Sequence, residues 1–384
     1  MKIGYITKQH PSNRRAYSGT HYYMFKALKQ SFEEVVPFGP VDSNYKIIPK
    51  AKGRLLRMMT GKVYKYQYDI GLAKRMAAII DQKIAEHQPD ALLASLMNPE
   101  MAYVKSDVPF YLTSDATSVL LNEVYGSHSN LHPLSVKEAM HLERKAFDKA
   151  TKLILPLQWL ADSAMKDYGV PSSKIEVIPY GANLDTEISE DEVEQIIKRR
   201  QESSKIKLLF VGIRWEEKGG PFAVKVLRSL LEKGIDAELY IVGCKPEIPN
   251  QPEGIKTIGF VDKETEQGRT RLDQLYKEAT FFIMPTQAEC VGMSFIEAAS
   301  YALPAIGSET GGVPEAVVDN ETGLICGPSH SPDDVADWII AVRKEEKRYT
   351  KLSQQAYDKY RHDMNWENWS KRVRDVIDNE MGKG

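Results

Sequence analysis

The sequence predicts an α/β protein built as two doubly wound, parallel-sheet lobes facing a central cleft. Three observations predict it. Short apolar runs alternate with longer amphipathic ones from Ile3 onward, the pattern of strands covered on both faces by helices. The alternation breaks at the highly charged stretch 186–204, "TEISEDEVEQIIKRRQESS", and then restarts in the same form. The length, 384 residues, suits about two ordinary domains.

In the first half, "IGYIT" (Ile3–Thr7) reads as a strand, Thr20–Gln30 as a helix and "EVVPF" (Glu34–Phe38) as a second strand. Ile70, Leu72, Ala73, Met76, Ile79, Ile80 and Ile84 give residues 66–87 a helical period. "ALLASL" (Ala91–Leu96), "PFYLTS" (Pro109–Ser114), a helix at 134–148, "LILPL" (Leu153–Leu157), a helix at 158–168 and "IEVIPYG" (Ile175–Gly181) follow. The second half runs "IKLLFVG" (Ile206–Gly212), a helix at 220–233, "AELYIVG" (Ala237–Gly243) and "IKTIGF" (Ile255–Phe260). It continues with a helix at 271–279, "TFFIMP" (Thr280–Pro285), a helix at 293–302 and "LPAIGS" (Leu303–Ser308). Helices at 332–345, 348–360 and 366–380 close the chain. Ligands of doubly wound sheets bind beyond the carboxyl ends of the strands, so the expected site lies in the cleft.

Composition excludes several classes. The chain is 42% hydrophobic and 27% charged, with a formal net charge of −2, and so carries no global pull toward nucleic acid. No run of about 18 apolar residues predicts a membrane span, and the start reads directly as a strand rather than a secretory leader. Cys244, Cys290 and Cys326 are far apart and lack metal-site spacing, which suits reduced thiols in the cytoplasm. His21, His128, His132 and His141 form no metal-binding pair and read as polar or structural. No protein-bound metal and no cofactor are expected.

The stretch "PTQAECVGMSFIEAASYALPAIGSETGGVPEAV" (285–317) carries the chemistry. A buried strand ends at Pro285, a short loop bears Glu289, and Gly292 leads into a helix bearing Glu297. The amides of Val291, Gly292 and Met293 then stand at a helix N-terminus, an anion site by backbone alone. The flanking carboxylates suit the vicinal hydroxyls of sugars and ribose. In "FVGIRWEEKGG" (Phe210–Gly220), Arg214 and Lys218 occupy the loop between a strand and the next helix, where they can neutralise a diphosphate. Taken singly, Glu289, Glu297 and Lys218 also read as solvated acids and a turn lysine.

Two glutamates separated by seven residues, with the strand-Gly-loop-Lys-Gly element, resemble the family-4 retaining glycosyltransferases of the GT-B fold (glycosyl transferases group 1), whose lobes are Rossmann-like. "SGTHYYMFKAL" (Ser18–Leu28), "YLTSDAT" (Tyr111–Thr117), "VIPYGANLD" (Val177–Asp185), "TGGVPEAV" (Thr310–Val317) and "NETGLIC" (Asn320–Cys326) extend the resemblance over nearly the whole chain. It implies a metal-independent enzyme moving a hexose-type sugar from a UDP- or GDP-sugar to a hydroxyl of a glycan, glycolipid or small acceptor, with retention. It places Glu289 on the transferred sugar, Glu297 on the ribose, and Arg214, Lys218 and the Val291–Met293 amides on the diphosphate. Gly19 then approaches the phosphates, Asp115 lies near the anomeric carbon and acceptor, and Phe260 and Val261 lie near the base. Glu289, Asp115 and Lys218 are the expected catalytic residues. The family's arginine directly after the strand glycine is Ile213 here, with Arg214 one place later. The implied lobes are 1–185, the acceptor lobe, and 205–365, the donor lobe. Residues 186–204 lie between them, and the terminal helix 366–384 crosses back onto the first lobe. Trp366 and Trp369 are expected to be packing anchors there.

Other readings stand beside these. Asp115 also suits the cap of a following helix, and Gly19 a plain turn. A nucleotide-sugar epimerase or a non-catalytic nucleotide-sugar-binding subunit is compatible with the same scaffold. A nicotinamide-dependent dehydrogenase is disfavoured, because no Gly-x-Gly-x-x-Gly follows either first strand. Residues 46–65 hold Lys46, Lys50, Lys52, Arg54, Arg57, Lys62 and Lys65, interleaved with Leu55, Leu56, Met58 and Met59. They read as a solvated basic loop, as a patch for an anionic acceptor, or as an amphipathic segment docking peripherally on anionic lipid at the inner membrane face.

Overall fold

The computed structural model describes residues 1–125 and 130–382. The chain divides into two compact units, Met1–Tyr180 with Trp366–Gly384, and Gly181–Asn365.

The first unit is one parallel sheet of β1 (Lys2–Ile6), β2 (Glu34–Pro37), β3 (Ala91–Ser95), β4 (Phe110–Thr113), β5 (Lys152–Leu155) and β6 (Ile175–Val177), in the order β2-β1-β3-β4-β5-β6. Its helices are α1 (Thr20–Ser31), α2 (Ile47–Thr60), α3 (Ile70–His87), α4 (Asn98–Met101), α5 (Ser118–Val124), α6 (Pro133–Lys149) and α7 (Gln158–Tyr168). All five residues of β3 are buried, as expected of a strand covered on both faces. The terminal helix, Trp366–Met381, packs on α1, with Ser31 Oγ and Ser370 Oγ 2.9 Å apart. Trp369 is fully buried and Trp366 stacks on Tyr180 with ring centroids 5.6 Å apart, so both indoles pack within this unit.

The second unit repeats the plan with β7 (Ile206–Val211), β8 (Ala237–Val242), β9 (Ile255–Gly259), β10 (Phe281–Ile283), β11 (Ala305–Ser308) and β12 (Gly323–Cys326), in the order β12-β11-β10-β7-β8-β9. Its helices are α8 (Glu190–Glu202), α9 (Gly220–Glu232), α10 (Glu266–Glu278), α11 (Met293–Ser300), α12 (Val313–Ala316), α13 (Pro332–Lys344) and α14 (Glu346–Asp363). In each sheet the chain builds outward from one central strand, then crosses to that strand's other side. The β1/β3 and β7/β10 neighbours are therefore the switch points of the two sheets, where doubly wound folds bind their ligands.

Several elements depart from the sequence reading. Residues 186–204 do not form a separate connector. Val193, Ile196 and Ile197 of α8 are buried in the second unit, and the Arg200 guanidinium donates to the carbonyls of Tyr276 (2.8 Å) and Ala302 (2.7 Å) near the ends of α10 and α11. Helix α10 starts at Glu266 rather than 271, because the Thr265 side chain accepts from the Gly268 amide and caps it. The short strand β12 was hidden in a four-residue run at the sheet edge. Residues 47–60 form helix α2 rather than a solvated loop. Among the histidines, His132 caps α6 by accepting from Leu134 N, His141 meets the Tyr103 hydroxyl at 3.3 Å, and His128 lies outside the described residues. No described helix is long and apolar enough to cross a membrane.

His21, on the first turn of α1, is 5% exposed, and neither ring nitrogen has a hydrogen-bond partner. Burial depresses its pKa to about 4. An unfolded histidine titrates near about 6.5, so acid between these values protonates the unfolded chain but not the folded one, and the stability is lost as pH falls through that window. Between pH 7 and pH 4.5 the wild type should therefore lose roughly 2–3 kcal/mol more stability than His21→Leu. Urea midpoints at the two pH values measure this; equal losses in the two proteins would show that His21 is not buried neutral.

Candidate active site

The second unit's switch point is built by two loops pressed together. The loop after β7 runs 212–219 and that after β10 runs 284–292. Gln287 N donates to the Glu217 carbonyl at 2.8 Å, and Thr286 Oγ1 reaches the same oxygen at 3.2 Å. Gly219 lies at φ +76°, and a Cβ there would come within 1.9 Å of the Pro285 carbonyl oxygen. Only glycine permits that approach. Lys218, immediately before it, is thereby aimed across the gap. Its ammonium donates to the Ala288 carbonyl and to Glu289 Oε2, both at 2.8 Å, and both charged side chains are largely buried. The structure thus brings Lys218 and Glu289 into direct contact.

Three residues beyond Glu289, Gly292 at φ +76° caps helix α11. Val291 and Gly292 are buried, Met293 opens the helix, and Phe295 N closes the first turn on the Gly292 carbonyl at 2.9 Å, with the Met293 and Ser294 amides ahead of it at the helix N-terminus. Gly312 N braces the turn by donating to the Cys290 carbonyl at 2.9 Å. Cys290 itself is buried, a packing residue. Glu297, on the second turn of α11, is 3% exposed. Its Oε1 accepts from Lys263 Nζ at 2.6 Å and its Oε2 from the Tyr276 hydroxyl at 2.9 Å. Burial first, and then the Glu297 charge, hold the Tyr276 phenol far above its ordinary pKa, so it remains a neutral donor. One loop-helix segment therefore carries a Lys–Glu pair ahead of a helix start and a second Lys–Glu pair one turn into it.

The Arg214 side chain is half exposed and pairs with Glu217 at 2.8 Å, while the Lys218 amide donates to the Arg214 carbonyl at 2.8 Å, which sets the two cations one turn apart on the same loop. Ile213 beside it is 70% exposed. Phe260, 67% exposed, and Val261 line a groove of about 860 Å³ together with Asp262, Thr265, Gly268 and Arg271.

Gly19 and Asp115 belong to the first unit. Gly19 sits at φ +90° as the N-cap residue of α1, at the end of the loop that follows β1. Asp115 is half-buried beyond β4 and does not cap α5; Thr117 does, accepting from Leu120 N. Burial, followed by the charges of Glu143, Asp115 and Glu100, raises the pKa of Tyr68, which places the three acids within electrostatic reach of one phenol. Lys8, just beyond β1, partly balances them through an ion pair with Glu100 at 3.1 Å.

Lys263, Tyr276 and Thr286 were not singled out from the sequence. Lys263 lies in a polar loop with no periodicity, and Tyr276 reads as one apolar position of a helix. Only the fold shows that both end on Glu297.

Comparisons with known proteins bear on the family and the fold. Residues 192–359 match the model of the family described as Glycosyl transferases group 1. Over 211 residues the chain is 27% identical to a D-inositol 3-phosphate glycosyltransferase of Mycobacteroides abscessus, covering 53% of this chain and 47% of the relative. Over 155 residues it is 25% identical to an N-acetyl-alpha-D-glucosaminyl L-malate synthase of Bacillus anthracis, covering 39% and 40%. The chain thus spans about half the length of the curated relatives it matches. In structure it is similar to sucrose-phosphate synthase from Thermosynechococcus elongatus, with TM-score 0.69, 14% identity and full coverage of both chains. It is also similar to Anabaena HepE solved with UDP and glucose, with TM-score 0.65, 14% identity, and 99% and 100% coverage. The fold is GT-B.

Gly219→Ala should destabilise the protein by about 2 kcal/mol or more, since it adds backbone strain and drives a methyl group into the Pro285 carbonyl. Urea denaturation checks this. A loss under roughly 0.5 kcal/mol, the range of ordinary surface changes, would mean that the two loops are not in contact.

Proposed function

From a second unit whose residues 192–359 match the glycosyl transferases group 1 model, we propose that the protein is a retaining, metal-independent glycosyltransferase. It takes a nucleotide-diphosphate sugar as donor and a hydroxyl of a glycan, glycolipid or small molecule as acceptor. The observation that carries the reading is the Lys218–Glu289 pair standing directly before the helix start at Gly292, at the β7/β10 switch point. The ammonium and the first-turn amides supply positive potential for a diphosphate. Glu289 accepts hydrogen bonds from hydroxyls of the transferred sugar, and Glu297, held by Lys263 and Tyr276, accepts them from the ribose. Phe260 and Val261 offer an apolar surface to the base. The base is uridine or guanosine; similar structures solved with UDP, and one with ADP, make UDP-sugars the first donors to test.

In the transfer step the bond from the anomeric carbon to the diphosphate breaks and a bond to the acceptor oxygen forms on the same face. The acceptor proton passes to the leaving diphosphate. Charge grows on the diphosphate as it departs, and Lys218 with the α11 amides stabilises that charge without a metal. Asp115 and Gly19 serve the acceptor side and the close approach of the phosphates. Three free cysteines suit a cytoplasmic setting.

UDP-sugars should raise the melting temperature of the wild type, the true donor most, by mass action. Lys218→Ala and Glu289→Ala should each slow donor turnover about 100-fold or more. Wild-type rates in Lys218→Ala would refute the donor site. A new nucleotide sugar formed from donor alone would instead show an epimerase, and binding without any turnover a non-catalytic subunit.

A further inference from the structure

Large apolar side chains that stay well exposed are few among the described residues, and five of them sit on one helix. Ile47, Ile48, Leu55, Met58 and Met59 of α2 are 53–79% exposed. At about 100° per residue they fall, with Ala51, within one arc of about 120°. Arg54, Lys50 and Arg57 follow along one edge of that arc. The opposite side of the helix holds Pro49, which is buried, and Gly53, which packs against Tyr64. The apolar arc therefore points away from the body of the first unit.

The helix is also firmly seated. Lys52, on the arc's other edge, donates to the Tyr64 hydroxyl at 2.9 Å, to Asp69 at 3.1 Å and to Glu138 at 3.2 Å. One lysine is thus used as an anchor while its basic neighbours remain at the surface. No acidic residue occurs between Asp42 and Asp69. A helix with a broad exposed apolar face and a basic rim combines the two features that hold a peptide in a lipid interface. A second copy of this chain fits the face poorly, since an antiparallel two-fold contact would set arginines against arginines and a parallel one would set them against the Lys52 edge.

We propose that α2 is an interfacial anchor that lies in the headgroup plane of an anionic bilayer, its Ile–Leu–Met arc in the acyl boundary and its arginines and lysines on lipid phosphates. The acceptor would then be met at a membrane surface, although the anchor does not depend on the donor site and is tested without donor.

The test is co-sedimentation of the full chain with vesicles of phosphatidylcholine, alone or with roughly one-third phosphatidylglycerol, at low and physiological salt. The wild type should sediment with the anionic vesicles and lose much of that binding as salt rises. Met58→Ser with Met59→Ser should weaken partitioning about tenfold or more. Arg54→Gln with Arg57→Gln should weaken it about 25-fold, near fivefold per charge. All four side chains are exposed, so circular dichroism and melting should match the wild type. Failure to bind anionic vesicles at low salt overturns the proposal, as does wild-type binding by either double variant. So does a wild-type dimer that Met58→Ser with Met59→Ser converts to monomer without any vesicle binding, which would assign the face to a second copy.

Discussion

The second unit depends on how closely two backbone loops can approach at the β7/β10 switch point. Gly219 lies against the Pro285 carbonyl, and any side chain there would force the loops apart. That contact sets the direction of Lys218, which in turn fixes Glu289, and Glu289 stands just ahead of the Gly292 turn that begins α11. A parallel doubly wound sheet opens a crevice at this point by topology alone. The closeness of the two loops converts the crevice into a site with defined charges.

Those charges are arranged as pairs. Lys218 with Glu289 and Lys263 with Glu297 are both largely shielded from water, and each carboxylate keeps further acceptor capacity for hydroxyl groups. Pairing lets four ionised groups share a small, poorly solvated region, where a lone charge would be costly. Tyr276 adds a neutral donor whose proton is held in place by the same burial. No side chain caps the start of α11, and its free end adds positive potential of the kind a diphosphate requires.

The first unit uses the same sheet plan with a different surface. Around Tyr68 it gathers Asp115 beyond β4, Glu100 of α4 and Glu143 of α6, with Lys8 paired to Glu100, rather than a helix start flanked by ion pairs. Its unusual feature is α2, a helix seated by the hydrogen bonds of one half-buried lysine, Lys52, and turned apolar side outward. Helix packing normally hides such a face, and here the hidden side is the narrow one formed by Pro49 and Gly53.

Much of this was legible in the chain. Apolar period and length determined the two βα alternations. The order strand, Glu289, Gly292, helix, Glu297 determined that two acids flank a helix start, because these are local relations within a dozen residues. That the Lys218 ammonium meets Glu289, and the Arg214 guanidinium Glu217, was decided by the paths of the two loops. Lys263 and Tyr276 were invisible because their partner Glu297 lies 34 and 21 residues away in sequence. The charged stretch 186–204 looked like a connector because its apolar stripe is thin; burial of that stripe and of Arg200 needs helices contributed from far along the chain. The run 46–65 showed basic and apolar residues but not which of them face water. Local spacing thus determined the elements and the kind of chemistry they carry. Only tertiary packing decided which charges meet and which apolar face stays open, because those outcomes depend on contacts between segments that sequence order keeps apart.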